Sequence, residues 1–75
     1  MDKEKFLANF ANQFDATDAS EITFETKFHE LDEWSSIVGM CMLAMAKTEY
    51  GKSIKGEELR GCTTVEDVYN LIANK

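Results

Sequence analysis

The sequence predicts an all-α fold, a four-helix bundle of three long helices and one short one with a long first loop. Three observations lead there. Apolar residues recur with the helical period in three separate stretches, no stretch sustains the alternation of a half-buried strand, and the chain contains no proline to interrupt a helix. Seventy-five residues allow one domain, spanning 1–75. So short a chain buries only roughly 60% of the surface its unfolded form exposes, so its core is thin.

The first helix is read over residues 3–14. Phe6, Phe10 and Phe14 recur at i, i+4 and i+8, with Leu7 and Ala11 beside them, which makes one aromatic stripe that needs a core. From Asp15 to Ser35 the chain is rich in Asp, Thr, Ser and Glu and loses its period. This connection is longer than most in compact domains. Phe24, Phe28, Leu31 and Trp34 are spaced through it, so it must pack across the helices, with a short helical turn expected near residues 24–30. His29 in this loop reads as an exposed or capping side chain and not as a catalytic base.

The second helix runs from about Ser36 to Tyr50 and stops at Gly51, the residue type suited to the left-handed position after a helix end. It carries two apolar stripes. Gly39, Leu43, Ala46 and Tyr50, joined by Met42, form one; Ile37, Met40, Cys41 and Ala44 form another on nearly the opposite side. A helix apolar almost all round is either buried centrally or keeps a face for a partner. The expectation in so small a domain is that the first stripe enters the core and the second stays partly exposed, where methionine makes an adaptable contact surface. Gly56–Arg60, bounded by Gly61, forms the short helix. Thr63 or Thr64 then caps the last helix, with Glu66 or Asp67 in capping-box spacing, and Val65, Val68, Tyr69 and Ile72 supply its buried face.

Composition narrows the function. The formal net charge is −6, which argues against nucleic acid, since phosphate backbones call for clusters of Lys and Arg. No apolar run approaches the length of a membrane span, and Met1 to Phe14 interleaves charged and apolar residues instead of forming a signal-peptide block; the expected location is cytoplasmic. Cys41 and Cys62, with His29 alone as helper, cannot assemble a zinc site, and both thiols are expected to be reduced. With one histidine and no convergent acid–base cluster, the chain is not expected to be an enzyme. Acidity gathers ahead of the second helix, chiefly at Glu30, Asp32 and Glu33, as a solvated face or as a means of steering toward a basic partner.

What remains is a serine. The stretch Leu31-Asp32-Glu33-Trp34-Ser35-Ser36-Ile37 sets Ser36 where the polar loop meets the long helix. There a hydroxyl is either a helix cap or an attachment point at which a phosphate ester would meet unpaired backbone N–H groups and the positive end of the helix dipole.

The residues that surround it resemble the acyl carrier protein family. The Trp34-x-Ser36-Ile37 segment is similar to that family's Asp-Ser-Leu presentation of a serine for 4'-phosphopantetheine. Phe28 and Leu31 ahead of the serine, Tyr50-Gly51 closing the helix, Ile54 before a short acidic helix and Thr63-Thr64-Val65-Glu66-Asp67 opening the last helix extend the likeness over nearly the whole chain. The resemblance implies a four-helix bundle of the acyl-carrier type and an arm on Ser36, not Ser35. It further implies a phosphopantetheinyl transferase and acyl- or aminoacyl-transferring enzymes as partners.

Two departures follow. Ser35 stands where the family has aspartate, removing a charge for which Asp32 and Glu33 would compensate in part. Met40, Cys41, Ala44 and Lys47 stand where carriers of fatty acid synthesis show carboxylates, which implies a more apolar docking face and a specialised polyketide, aminoacyl or cell-surface pathway. Trp34, Ser35, Ile37, Met40, Cys41 and Ala44 are the candidate docking residues; Trp34 either anchors the loop or forms part of the rim. Leu43, Ile54, Leu59 and Cys62 either line a groove for an acyl chain or pack in the core. The expected carrier is a monomer without metal or membrane insertion. The competing reading is a small helical interaction module without cofactor.

Overall fold

The computed structural model describes residues 2–75, which form four α-helices: α1 (Lys3–Ala11), α2 (Ser36–Tyr50), α3 (Gly56–Arg60) and α4 (Val65–Ala73). Met1, included in the expected single-domain span, lies outside the described residues. Among the described residues there is no strand, and no helix is long and apolar enough to cross a membrane.

Helix α1 begins where the Asp2 carboxylate accepts a hydrogen bond from the Lys5 amide at 3.1 Å, a cap that also sets negative charge at the positive helix end. It ends three residues before the predicted boundary. Beyond Ala11 the chain tightens, and the Gln13 and Phe14 amides donate to carbonyls three residues back at 3.1 and 3.0 Å. The Gln13 side chain meanwhile donates to the Asn9 carbonyl at 2.9 Å. Such tightening satisfies the carbonyls that a helix end leaves without partners. Phe14 is nevertheless buried with Phe6 and Phe10.

Those phenylalanines start a chain of ring contacts that ties the fold together. Phe6 meets Tyr69 of α4 edge-on at 5.3 Å, Phe10 meets Phe28 of the loop at 5.5 Å, and Phe28 meets Trp34 at 4.8 Å. Tilted and edge-on pairs of this kind contribute about 0.5–1.5 kcal/mol each beyond their burial. Ile22, Met42, Val65, Val68 and Ile72 complete the core around them.

The long loop holds two 3-10 turns, Ala19–Glu21 and Phe28–Glu30, where the sequence predicts one. Asp18 organises the unforeseen turn: its carboxylate accepts from the Ser20 amide at 2.9 Å, while Glu21 accepts from the Asp18 amide at 3.2 Å. Further along, the Val65 and Glu66 amides donate to the carbonyls of Thr26 and Phe24 at 3.1 and 3.0 Å. The first turn of α4 is thereby satisfied by the loop. Its cap resolves to Thr64, whose hydroxyl accepts from the Asp67 amide at 3.2 Å as Asp67 accepts from the Thr64 amide at 3.1 Å. Helix α2 ends as predicted, with Gly51 left-handed at φ 67° and the Lys52 amide reaching back to the Ala46 carbonyl at 3.2 Å.

The stripe of α2 that enters the core is rotated from the predicted one. Val38, Met42, Met45 and Ala46 are buried, whereas Gly39, Leu43 and Tyr50 are only half-buried. The i, i+4, i+7 set Val38, Met42, Met45 supplies larger side chains than one that begins at a glycine, and the thin core takes the larger set. Ile37, Met40, Cys41 and Ala44 are exposed, as expected.

Glu33 fastens the loop to the end of α1. Its carboxylate accepts from the amides of Asp15, Ala16 and Thr17 at 2.6, 3.0 and 2.8 Å and from the Thr17 hydroxyl at 2.8 Å. Desolvation pushes its carboxyl up, but the donors from Thr17, Asp15 and Ala16 outweigh that and hold it below the ordinary value of 4.5. A carboxyl depressed in the folded state contributes stability above its unfolded value, and that contribution is lost as the pH falls through the folded one. Thermal melts taken from neutral pH down through the carboxylate range are therefore expected to show an acid-dependent loss. Glu33→Gln should melt lower at neutral pH and lose less on acidification; an equally steep loss in the variant would show that Glu33 is not its source.

Candidate functional site

The two adjacent serines divide the work at the start of α2. Ser35, with extended backbone at φ −155° and ψ 173°, is the N-cap: its hydroxyl accepts from the Val38 amide at 3.3 Å, and its carbonyl accepts from the Gly39 amide at 2.9 Å. Ser36 is the first helical residue and is exposed, and its hydroxyl has no hydrogen-bond partner among the described residues. The cap reading of Ser36 is thereby removed. The amides of Ser36 and Ile37 likewise have no acceptor among the described residues, so this helix start presents donors and the positive dipole end to solvent. A phosphate ester on Ser36 would fit that setting.

Trp34 sets the approach. Half-buried, it packs on Phe28 and lies 6.3 Å from Phe14, so it anchors the loop to the core. Its indole also reaches Gly39, where an added Cβ would stand 3.6 Å from Trp34 Cζ2. Between α2 and α3 this leaves a cleft of about 400 Å³, bordered on the α2 side by Ser36, Gly39, Met40 and Leu43 and on the α3 side by Gly56, Leu59 and Arg60. His29, Trp34 and Ser35 close its loop end.

The predicted groove residues separate. Leu43 and Leu59 border the cleft, while Ile54 and Cys62 do not and lie buried in the core. Cys62 donates through Sγ to the Glu58 carbonyl at 3.4 Å, and burial, with Asp67 and Glu58 nearby, pushes its thiol above the ordinary 9.0. It is a packed, protonated thiol with the chemistry of a small apolar side chain. The candidate docking residues stay together on the surface: Ile37 and Met40 are 73% and 69% exposed, and Ser35, Cys41 and Ala44 are exposed beside them.

Two sequence expectations need correction. Glu33 cannot stand in for the charge missing at Ser35, because its carboxylate is occupied by residues 15–17; Asp32 remains exposed. His29 is neither exposed nor a cap. Its ring lies 4.3 Å from Phe28 and 5.1 Å from Trp34, drawn in by the burial of its neighbour, and Nε2 is buried with no hydrogen-bond partner among the described residues. Gly39, Gly56 and Arg60 were not singled out as site residues. The spacings Ser36–Gly39 and Gly56–Arg60 put each pair on one helix face, but nothing local says that the two faces meet.

Compared with protein-family models, curated proteins and solved structures, the chain matches none.

Removing the cap should cost about 1 kcal/mol, so Ser35→Ala is expected to lower stability in urea unfolding by that amount and Ser36→Ala to leave it nearly unchanged. Equal losses would contradict the assignment of Ser35 as the cap. At His29 the expected sign is opposite: an unpaired buried nitrogen costs about 1–3 kcal/mol, so His29→Phe should raise the unfolding midpoint.

Proposed function

We propose that this chain is a carrier protein of the acyl-carrier type, holding acyl or aminoacyl intermediates on a 4'-phosphopantetheine arm at Ser36. The observation that carries this reading is that Ser35 does the capping while the neighbouring hydroxyl is exposed and unengaged. An alcohol that served only to start the helix would be bound to it. Ser35 in place of the aspartate of the resembled family preserves the cap, since both side chains accept from the first turn, and loses only the charge.

The chemistry asks little of the chain. Attack by Ser36 Oγ on the phosphorus of coenzyme A that bears the pantetheine forms one P–O bond and breaks the pyrophosphate P–O bond. Adenosine 3',5'-bisphosphate leaves with the electron pair, and the hydroxyl proton passes to a base on the transferase. The arm supplies a terminal thiol on which an acyl group is held as a thioester, more readily attacked than an oxygen ester. The chain supplies a fixed anchor: α2 is a rigid 15-residue element, and Trp34 and Glu33 hold the loop that leads into it.

Partner enzymes would dock on Ile37, Met40, Cys41 and Ala44, with Asp32 and Glu30 as the charged margin before the helix. Contact of that kind depends on apolar burial more than on charge and suits a specialised polyketide, aminoacyl or cell-surface pathway better than a carrier read through carboxylates. The exposure of Ile37 and Met40 also supports the second reading, a small interaction module without cofactor.

Intact mass after incubation with coenzyme A and a promiscuous phosphopantetheinyl transferase separates the two. The carrier gains one phosphopantetheine unit, lost in Ser36→Ala and kept in Ser35→Ala; an unchanged mass with several transferases, one from the same source among them, leaves the interaction module.

A further inference from the structure

We infer that the exposed stripe of α2 is covered by a second copy of this chain, the two α2 helices packing antiparallel about a two-fold axis between Met40 and Cys41. The pairing uses the stripe and not the Ser36 hydroxyl, so it stands apart from the carrier reading. Ile37, Met40 and Ala44 recur at i, i+3 and i+7 with Lys47 at i+10, the spacing at which one helix lays a seam along another. All four are exposed, and among the described residues Ile37 and Met40 are the large apolar side chains left in the open. Cys41 and Ala44 are small, so a second helix can approach the seam closely.

Charge picks both the occupant and the direction. The seam ends at Lys47, whose ammonium reaches only the Ser53 hydroxyl at 3.5 Å. No carboxylate lies on α2 before Glu49, and Glu49 sits off the seam beside Asn9 and Asn12. The stretch that leads into the helix is acidic, and the carboxylates of Glu30 and Asp32 are exposed with no hydrogen bond or ion pair among the described residues. A parallel pair would set Lys47 on Lys47 and the acidic stretch on itself. The antiparallel pair sets Ile37 against Ala44, Met40 against Cys41, and Lys47 against residue 34, two places from Asp32 of the second copy. Symmetry makes each contact twice. Two helices of 15 residues, each about 22 Å long, meet along one seam and bury less than the roughly 1,200 Å² of a standard interface. With a net charge of −6 on each copy as well, association is weak and reversible. The monomer expected from the sequence is then the dilute form, and the stripe is sheltered at high concentration until a tighter partner takes it.

Sedimentation equilibrium on the full chain, from micromolar to millimolar concentration, should show monomer passing to dimer. Met40→Asp, a surface change checked for an intact fold by circular dichroism, should stay monomeric throughout. Lys47→Glu alone and Asp32→Lys alone should each weaken association about tenfold, since two surface pairs turn repulsive. An equimolar mixture of the two variants should recover the parent's affinity, because in the mixed dimer each position 47 again faces the opposite charge at position 32. A short bis-maleimide gives a second readout through Cys41, the exposed thiol, Cys62 being buried. It should capture the parent as a cross-linked dimer and capture little of Met40→Asp. A monomer at every concentration overturns the pairing and leaves the stripe to a different protein. A mixture no tighter than its two components overturns the antiparallel register.

Discussion

The fold depends on packing a long polar connection against the helices, and the contact that does so is Phe28 wedged between Phe10 of α1 and Trp34 at the entrance to α2. Between Ala11 and Ser36 the chain has no α-helix, and its large apolar residues, Phe14, Ile22, Phe24, Phe28, Leu31 and Trp34, are spaced without a helical period. Without an anchor, the entropy of ordering so many residues would defeat a thin core. Aromatic rings are suited to the task because each buries a large area at the cost of two side-chain torsions. Phe6 extends the same contact to Phe24 and Tyr69, so that the middle of the loop and the last helix share one set of rings with α1.

Polar contacts then set the register that the rings leave loose. Carboxylates accepting backbone amides recur: Asp2 at α1, Asp18 in the loop, Asp67 at α4, and Glu33 across the two ends of the connection. Much of the acidity of the chain is thus structural. The expectation of an acidic face before the serine, built on Glu30, Asp32 and Glu33, loses Glu33 to this use. What is left for long-range steering is smaller than the count of acidic residues suggests, because a carboxylate surrounded by amides projects less field than a free one.

The helices were legible in the sequence because their signals are local. The period of Phe6, Phe10 and Phe14, the left-handed stop at Gly51 and the Thr64–Asp67 box all lie within a few residues of what they determine. Where the physics is long-range the sequence was silent. The end of α1 depends on how a side-chain amide and two tight-turn bonds share the last carbonyls; the partial burial of His29 depends on the indole of Trp34; the clamp at Glu33 joins groups 16 to 18 residues apart. The same division runs through the site. Ser36 was visible as a hydroxyl at a helix start, but its freedom follows from Ser35 taking the cap, a choice between neighbours that composition and spacing leave open. The cleft was half visible: Leu43 and Leu59 were named for it, whereas Ile54 and Cys62 turn inward.

The exposed stripe on α2 is the feature that stability does not explain. Ile37 and Met40 stand largely in water on a domain short of core material, while Val38 and Met42 on the adjacent face are buried. Rotating the helix to hide the first pair would expose the second, so the chain has more apolar faces on this one helix than its three partners can cover. A helix that needed only to fold would carry polar residues at 37, 40, 41 and 44. Keeping apolar ones beside an unengaged hydroxyl places an exposed apolar stripe and a free alcohol on one short stretch of helix. A carrier needs that pairing, because an enzyme that grips the stripe finds the arm within reach, and an interaction module needs only the stripe. The free Ser36 hydroxyl is therefore what tips the reading toward the carrier: the stripe is common to both, and the alcohol has work to do in only one of them.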